Sequence, residues 1–331
     1  MSAKLPVFDI QTLRQNPGGS AARHAAETLR DICHHQGFCY LVGHGLDIAA
    51  RRVFNVADQF FALPSPDRRS IDIANTPHFR GYTILGTERT KGAQDWRDQL
   101  DFADDQSAPT LGPNDPAWLN LRGPNQWPEA LPAMKPVIDD WLLQMHEIGL
   151  MMIRALSRGL GLGASYFDPY FDPQGDARLK LIRYRVPEHG GTDQGVGWHH
   201  DTGFLTFIIQ DEIGGLQVDI DGQIIDATPM KGAMIMNLGE MLQMATDGYL
   251  RATPHRVKSP PPGRERKSMA YFFNPRLECE FKPIDLPNEL ARDAPGGQNT
   301  DPNDPVFSVV GENILKTRLR AHPDVARRHY S

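Results

Sequence analysis

The chain has 331 residues, 40% of them hydrophobic and 23% charged, with 35 Lys and Arg against 41 Asp and Glu and a formal net charge of −6. That is the make-up of a packed globular protein, and without long runs of one sign neither nucleic acid nor a membrane surface is expected as a partner. The opening MSAKLPVFDIQTL has no charged leader followed by an apolar stretch, and no run of about eighteen apolar residues occurs, so a soluble cytoplasmic protein is expected.

Along the chain, residues 20–36 place Ala22, Ala25, Leu29, Ile32 and Cys33 at three- and four-residue spacing, which predicts an amphipathic helix ended by Gly37. Phe38-Cys39-Tyr40-Leu41-Val42 predicts a short buried strand, followed by the Gly43-His44-Gly45 turn. A second helix over 47–62 carries Val53, Phe54, Ala57, Phe60 and Phe61 and stops before Pro64 and Pro66. Residues 75–105 show little periodicity and read as surface loop with one or two short strands. Residues 137–162 form the longest helical pattern, with Trp141, Leu142, Met145, Ile148, Met152, Leu156 and Leu160 on one side, suited to bracing a sheet. From Arg178 the runs LKLIRYRV, FLTFIIQD, GLQVDI, AMIMNL, RVKS and SMAYFF, separated by turn residues, predict an antiparallel sandwich or barrel. The tail after Pro275 is irregular to about 305, and GENILKTRLRA then predicts a helix over 311–321. Cys33, Cys39 and Cys279 are an odd number without ligand clustering, and free buried thiols are expected.

In Trp198-His199-His200-Asp201, side chains two apart on a strand share a face, which pairs His199 with Asp201 and turns His200 away. His255 follows 54 residues later in Thr-Pro-His-Arg-Val, at the start of another strand. Two imidazoles and one carboxylate leave adjacent positions open on a metal, the arrangement expected of Fe(II) oxygenases. A His-x-Asp triplet alone arises readily by chance among twelve histidines. Arg266 and Ser268 share a face by the same alternation and offer a guanidinium and a hydroxyl to one carboxylate; RERKS also reads as a solvated basic turn.

HHDTGFLTFIIQDEIGGLQV, NLGEMLQMATDGYLRATPHRV and RERKSMAYFFNP, in that order, resemble the isopenicillin N synthase-like branch of the Fe(II)/2-oxoglutarate dioxygenases. LPVFDIQTL, GFCYLVGHGL and GPNQWP resemble the N-terminal region of that family, so the similarity spans most of residues 5–275. The resemblance implies a mainly β fold with helical extensions around a double-stranded β-helix, or jelly roll. It implies a division into an N-terminal region over 1–125, a bracing helix over 126–177, a catalytic core over 178–275 and a C-terminal extension over 276–331. Implied metal ligands are His199, Asp201 and His255 for Fe(II). Arg266 and Ser268 would meet the distal carboxylate of 2-oxoglutarate, with Tyr184 supporting it or serving as a core tyrosine. Asn237 matches a co-substrate- or core-facing asparagine, and Arg185 stands where the plant-type pattern has a second tyrosine.

The implied reaction consumes dioxygen, decarboxylates 2-oxoglutarate to succinate and oxidises a C–H bond of a small metabolite, as in secondary metabolism. Hydroxylation, desaturation and ring closure share this chemistry. Isopenicillin N synthase itself and the ethylene-forming oxidases resemble the pattern without using an oxoacid, and a non-catalytic metal-binding jelly roll is the reading from another class. For substrate, Arg80, Tyr82, Arg97 and Phe102 fall in a segment similar to the part of the family that reaches over the barrel mouth, and Trp198 adjoins the first ligand; ordinary packing accounts for each of them as well. The helix after residue 310 has an apolar side that needs cover, from its own domain, the active-site rim or a second subunit, so either a monomer or a homodimer is expected.

Overall fold

A computed structural model describes residues 4–186, 191–296 and 304–330. The first part runs through β1 (Val7–Asp9), α1 (Gln11–Gln15), α2 (Ser20–His35), β2 (Phe38–Val42), α3 (Asp47–Ala62) and α4 (Ser65–Arg69). Next come β3 (Gly81–Thr83), a hairpin of β4 (Arg89–Thr90) and β5 (Ala93–Gln94), and β6 (Arg97–Ala103). After α5 (Met134–Gly159) and α6 (Asp168–Phe171) follow β7 (Asp176–Tyr184), β8 (Gln194–His199), β9 (Leu205–Gln210), β10 (Leu216–Ile220), β11 (Gln223–Asp226) and β12 (Met234–Leu238). The chain ends through α7 (Glu240–Ala245), β13 (His255–Lys258), β14 (Arg266–Asn274), α8 (Asn288–Ala291), α9 (Val310–Ala321) and α10 (Pro323–His329).

An eight-stranded sheet in the order β1-β2-β12-β9-β14-β7-β6-β3 lies against a four-stranded sheet in the order β11-β10-β13-β8. Every pairing in the two is antiparallel except β1 with β2. This is the double-stranded β-helix with helical additions that the family resemblance implied, and it agrees with the antiparallel sandwich or barrel expected from the strand texture.

Alternation along the strands sorts the large sheet into two environments. Cys39, Leu41, Leu100, Phe102, Leu179, Leu181, Phe207, Met236, Met269, Tyr271 and Phe273 face the helices and share one core with α2, α3 and α5. Each large apolar side chain so buried contributes about 1.5–3 kcal/mol. The intervening Phe38, Tyr40, Ile182, Tyr184 and Ile235 face the small sheet and pack with Val196, Leu216, Val218 and Val257. Helix α5 reaches the large sheet closely because Gly149 has no Cβ, which would lie 2.5 Å from the Phe273 ring.

Residues 75–105 depart from expectation. The loop reading fails at β6, whose seven residues are all buried and pair with β7 and β3. Helix α9 begins at Val310 as expected, whereas α10 was not anticipated; residues 297–303 of the irregular tail lie outside the described residues. The cysteines are free and buried, and burial pushes the Cys39 thiol up to about 12. Among the described residues no helix is long and apolar enough to cross a membrane.

Candidate metal centre

Strand β8 ends on His199 and β13 begins on His255, and the two are direct cross-strand partners with ring centroids 4.3 Å apart. Asp201 lies beyond the end of β8, so the expectation of one continuous strand is corrected: a turn, not strand alternation, brings the carboxylate back. The turn is clamped by Glu240 N–H to Asp201 C=O at 2.8 Å, Met241 N–H to Thr202 C=O at 3.2 Å and Gly239 N–H to Phe204 C=O at 3.0 Å. Side chains at its two glycines are excluded, because a Cβ on Gly203 would sit 1.7 Å from Asn274 Oδ1 and one on Gly239 would sit 2.2 Å from the Gly203 carbonyl.

One ligand atom from each of His199, Asp201 and His255 can be chosen so that all lie within 4.8 Å of one another. The Nε2 atoms of His199 and His255 stand 3.7 and 3.8 Å from Asp201 Oδ1. Each Nδ1 donates to a main-chain carbonyl, His199 to Gly197 at 2.9 Å and His255 to Thr253 at 3.1 Å. That fixes the tautomer with the Nε2 lone pair turned to the cluster. Burial and the neighbouring His255 ring push the His199 imidazole down to about 3, so it stays neutral and available as a ligand. Burial raises the Asp201 carboxyl, but the two imidazoles and hydrogen bonds from Thr206 and Asn237 outweigh it and hold the group below its ordinary value. His200 turns away, its Nδ1 3.8 Å from Glu240 Oε1.

Strand register places Arg266 opposite Tyr184, and Ser268 between Ile182 and Gln210, on the face of the large sheet turned to the small one. The Arg266 guanidinium, 1% exposed, donates to Gln210 Oε1 at 2.9 Å and to Ser268 Oγ at 3.3 Å, and its Cζ lies 4.7 Å over the Tyr184 ring. Its Nε has no hydrogen-bond partner, and no carboxylate pairs with it among the described residues. A buried guanidinium without a counter-ion calls for an anion. Thr206, on the metal side, and Gln210 share a face of β9 about 13 Å apart at ~3.3 Å per residue. Thr206 and Gln210 were missed by sequence reasoning; their alternation in FLTFIIQD was the available signal.

Asn237 does not sit beside Arg266. Fully buried, it donates from Nδ2 to Asp201 Oδ2 at 2.6 Å, so it engages the metal-facing carboxylate, with its Oδ1 unpaired. Of the residues expected at the substrate, Tyr82 and Phe102 are corrected too: both belong to the core on the helix side, Tyr82 donating to Asp98 Oδ2 and Phe102 stacking on Trp127 at 5.0 Å. Trp198 alternates away from His199 and lies under the Arg256 guanidinium at 5.0 Å. Arg80 is buried, donating through its two terminal nitrogens to the carbonyls of His78 and Leu121, while its Nε has no partner. Arg97 alone among them reaches the inner face, paired with Glu88 at 3.1 Å and Asp95 at 3.4 Å.

Helices α9 and α10 cover the open end of this face. Thr317 Oγ1 lies 2.9 Å from Thr202 Oγ1, directly after Asp201, and Arg318 Nη1 donates to Asp101 Oδ1 on β6 at 2.7 Å. Tyr330 stacks on Phe79 and donates to the Pro77 carbonyl at 2.7 Å. The apolar side of α9, with Val310, Ile314 and Leu315, joins the main hydrophobic core of the same chain.

Comparison with known proteins agrees with this geometry. Residues 5–130 match the family model described as the N-terminal region of the non-haem dioxygenase in morphine synthesis, and residues 177–275 match that of the 2OG-Fe(II) oxygenase superfamily. The chain is 31% identical over 344 residues to the 2-oxoglutarate-dependent dioxygenase frbJ of Dothideomycetidae sp. (strain 11243), covering 98% of this chain and 91% of the relative. It is 32% identical over 300 residues to homoarginine-6-hydroxylase 2-ODD-C23.2 of Arabidopsis thaliana, covering 85% and 80%. A full-length Neurospora crassa protein solved in complex with alpha-KG and 5-formyluracil superposes with a TM-score of 0.74 at 25% identity, over 96% of both chains. With a His-Asp-His cluster between the sheets of a jelly roll and near-full-length relatives that are dioxygenases, the chain belongs to the 2OG-Fe(II) oxygenase superfamily, which uses Fe(II), 2-oxoglutarate and dioxygen.

Proposed function

We propose that His199 Nε2, His255 Nε2 and the Asp201 carboxylate hold Fe(II), and that Arg266 and Ser268 hold the distal carboxylate of 2-oxoglutarate. The observation that carries this reading is the buried Arg266 guanidinium, which lacks a carboxylate partner yet lies on the same inner face as Thr206, a partner of Asp201. The donor set fits the pair: two neutral imidazoles and a carboxylate suit Fe(II) with open positions, and a guanidinium with a hydroxyl suits a carboxylate. When bound, Fe(II) and 2-oxoglutarate supply oxidation of an unactivated C–H bond by dioxygen, with release of succinate and carbon dioxide.

The chain's own residues orient and enclose. The Gly197 and Thr253 carbonyls hold the imidazole rings, Asn237 and Thr206 engage the Asp201 carboxylate, and Gln210 with the Tyr184 ring steadies Arg266. Helix α9 shields the mouth from bulk water. The substrate in this reading is a small metabolite and the outcome hydroxylation, which the hydroxylase names among the relatives support. The protein acts in the cytoplasm as a monomer or homodimer, without nucleic acid.

Anaerobic addition of 2-oxoglutarate to the Fe(II)-loaded protein tests this. The weak visible charge-transfer band of a chelated keto acid is expected, and Arg266→Gln should shift its midpoint to higher 2-oxoglutarate without weakening metal binding. Turnover that yields product but no succinate would instead mark an oxoacid-independent oxidase.

A further inference from the structure

Successive cross-strand pairs of β6 and β7 line the inner face of the large sheet, and they carry charge where a jelly-roll interior is usually apolar. Lys180 and Asp101 are cross-strand partners, Ile182 and Gln99 form the next pair, and Tyr184 and Arg97 the one after. The segment leading into the hairpin adds Glu88, and α9 with its following turn adds Arg318 and His322. Glu88, Arg97, Asp101, Lys180, Arg318 and His322 are all buried.

Their contacts form one network. Glu88 meets Lys180 at 2.9 Å and Arg97 at 3.1 Å, while Asp101 meets Arg318 at 2.7 Å and lies 4.0 Å from Lys180. Asp95, also buried, joins through Arg97 at 3.4 Å, so three carboxyl groups face Lys180, Arg97 and Arg318. Burial pushes the His322 imidazole down to about 4 and leaves it neutral, with Nε2 3.6 Å from Glu88 Oε1.

Two features separate this cluster from an ordinary structural ion-pair lattice. It is not saturated: Gln99 Oε1, Arg97 Nε and His322 Nε2 are buried without a hydrogen-bond partner, and the fully buried Gln99 turns its other amide atom to Asp101 at 2.7 Å. It also adjoins the metal centre. Thr317, next to Arg318, touches Thr202 beside Asp201.

We propose that this network is the substrate-recognition surface, and that the substrate is a small zwitterion bearing an amine or guanidinium together with a carboxylate. Glu88 and Asp101 take its cationic end, Lys180 and Arg97 its anionic end, and Arg318 with His322 close α9 over it. The reasoning is one of exchange. An apolar molecule placed here would separate buried charges and leave each without a partner, which is strongly unfavourable. A molecule of one sign would leave an excess charge in a low-dielectric space. A zwitterion replaces each broken ion pair with a new one and adds partners for the orphaned donor and acceptor atoms. This inference rests on the oxygenase reading of the adjoining metal site.

The test uses the full chain loaded with Fe(II) and 2-oxoglutarate. 5-Aminopentanoate, 6-aminohexanoate and 4-guanidinobutanoate serve as zwitterions, with hexylamine, hexanoate and hexanol as charge-depleted probes. Zwitterions are expected to stimulate succinate release above the substrate-free rate and to raise the melting temperature, and the charge-depleted probes to do neither. Asp101→Asn and Lys180→Met should each weaken the responsive zwitterion roughly ten- to hundred-fold, the loss of one charge-assisted hydrogen bond, while keeping the anaerobic keto-acid band. Preference for a neutral or singly charged probe overturns the proposal, as does a set of zwitterions with no effect on rate or melting. Failure of the underlying oxygenase reading is distinguished because the keto-acid band and substrate-free succinate would then be missing from the unmutated protein. If either variant fails to fold, Arg318→Gln on α9 gives the same comparison: the zwitterion should weaken with the keto-acid band intact, and an unchanged zwitterion response overturns the proposal.

Discussion

Asn237→Ala isolates one hydrogen bond at the metal centre. Its Nδ2 donates to Asp201 Oδ2 at 2.6 Å with no solvent access, while Asn237 Oδ1 has no partner. Truncation therefore removes one charge-assisted bond, worth about 1.5–3 kcal/mol, and strands no donor. Thr206 still supports the same carboxylate, which argues for the lower half of that range. Loss of such a bond to a ligating carboxylate weakens metal affinity roughly 10- to 100-fold. Anaerobic titration of metal-free protein with Fe(II), or with Co(II) followed by absorbance, measures the shift. Affinity for 2-oxoglutarate at saturating metal should stay within about twofold, since Asn237 has no contact with Arg266 or Ser268. A metal affinity that does not move, combined with weakened 2-oxoglutarate binding, would refute the positioning role and return Asn237 to the co-substrate.

Three further outcomes are expected. His199→Ala or His255→Ala should abolish Fe(II) binding and turnover while His200→Ala retains both, because the His200 ring turns to Glu240; the reverse pattern by metal analysis would show that the wrong histidine is assigned. Removing residues 311–331 takes Arg318 and His322 from Asp101 and Glu88, so substrate KM should rise with the metal Kd unchanged, and loss of metal binding in a truncated protein still folded by circular dichroism would count against it. Burial and the nearby Asp176 carboxylate push Asp104 from its ordinary 3.8 up to about 7. The folded state therefore keeps a proton that the unfolded chain gives up, and stability contributed below pH about 4 is lost as pH rises through about 7. Melting temperature should fall from pH 5 to pH 8 more steeply in the unmutated protein than in Asp104→Asn, and equal slopes would refute the shift.

The helices and most jelly-roll strands were legible because their apolar residues repeat at helix or strand spacing and face one continuous core. His199 and His255 were legible as a ligand pair through the family resemblance, and the start of a strand at His255 was visible in the sequence. The return of Asp201 was not: it depends on Gly203 and Gly239 passing close to Asn274, and so on tertiary contacts. Strand β6 was hidden for a different reason. Its sequence RDQLDFA alternates charged with apolar residues, as a half-exposed strand or loop does, but Arg97, Gln99 and Asp101 find partners on β7, the hairpin and α9 instead of water. Periodicity reports polarity, and polarity matched inside a protein reads as exposure. Tyr82 and Phe102 were placed near the substrate by the resemblance of their segment, which does not reveal a residue's side of the sheet, because that is set by register.

The alternation of the large sheet carries a practical consequence for engineering. On β6 and β7, Leu100, Phe102, Leu179 and Leu181 are committed to the helices, while Gln99, Asp101, Lys180 and Ile182 face inward between them. Randomising the inward set would change the proposed recognition surface while leaving the helix contacts in place, provided charges are exchanged in opposite pairs. Single-site libraries at Asp101 or Lys180 leave one charge without its partner and weaken substrate binding, whereas a paired library across the β6–β7 rung samples new surfaces at conserved net charge. A directed-evolution campaign on this chain is therefore best built from coupled cross-strand codons.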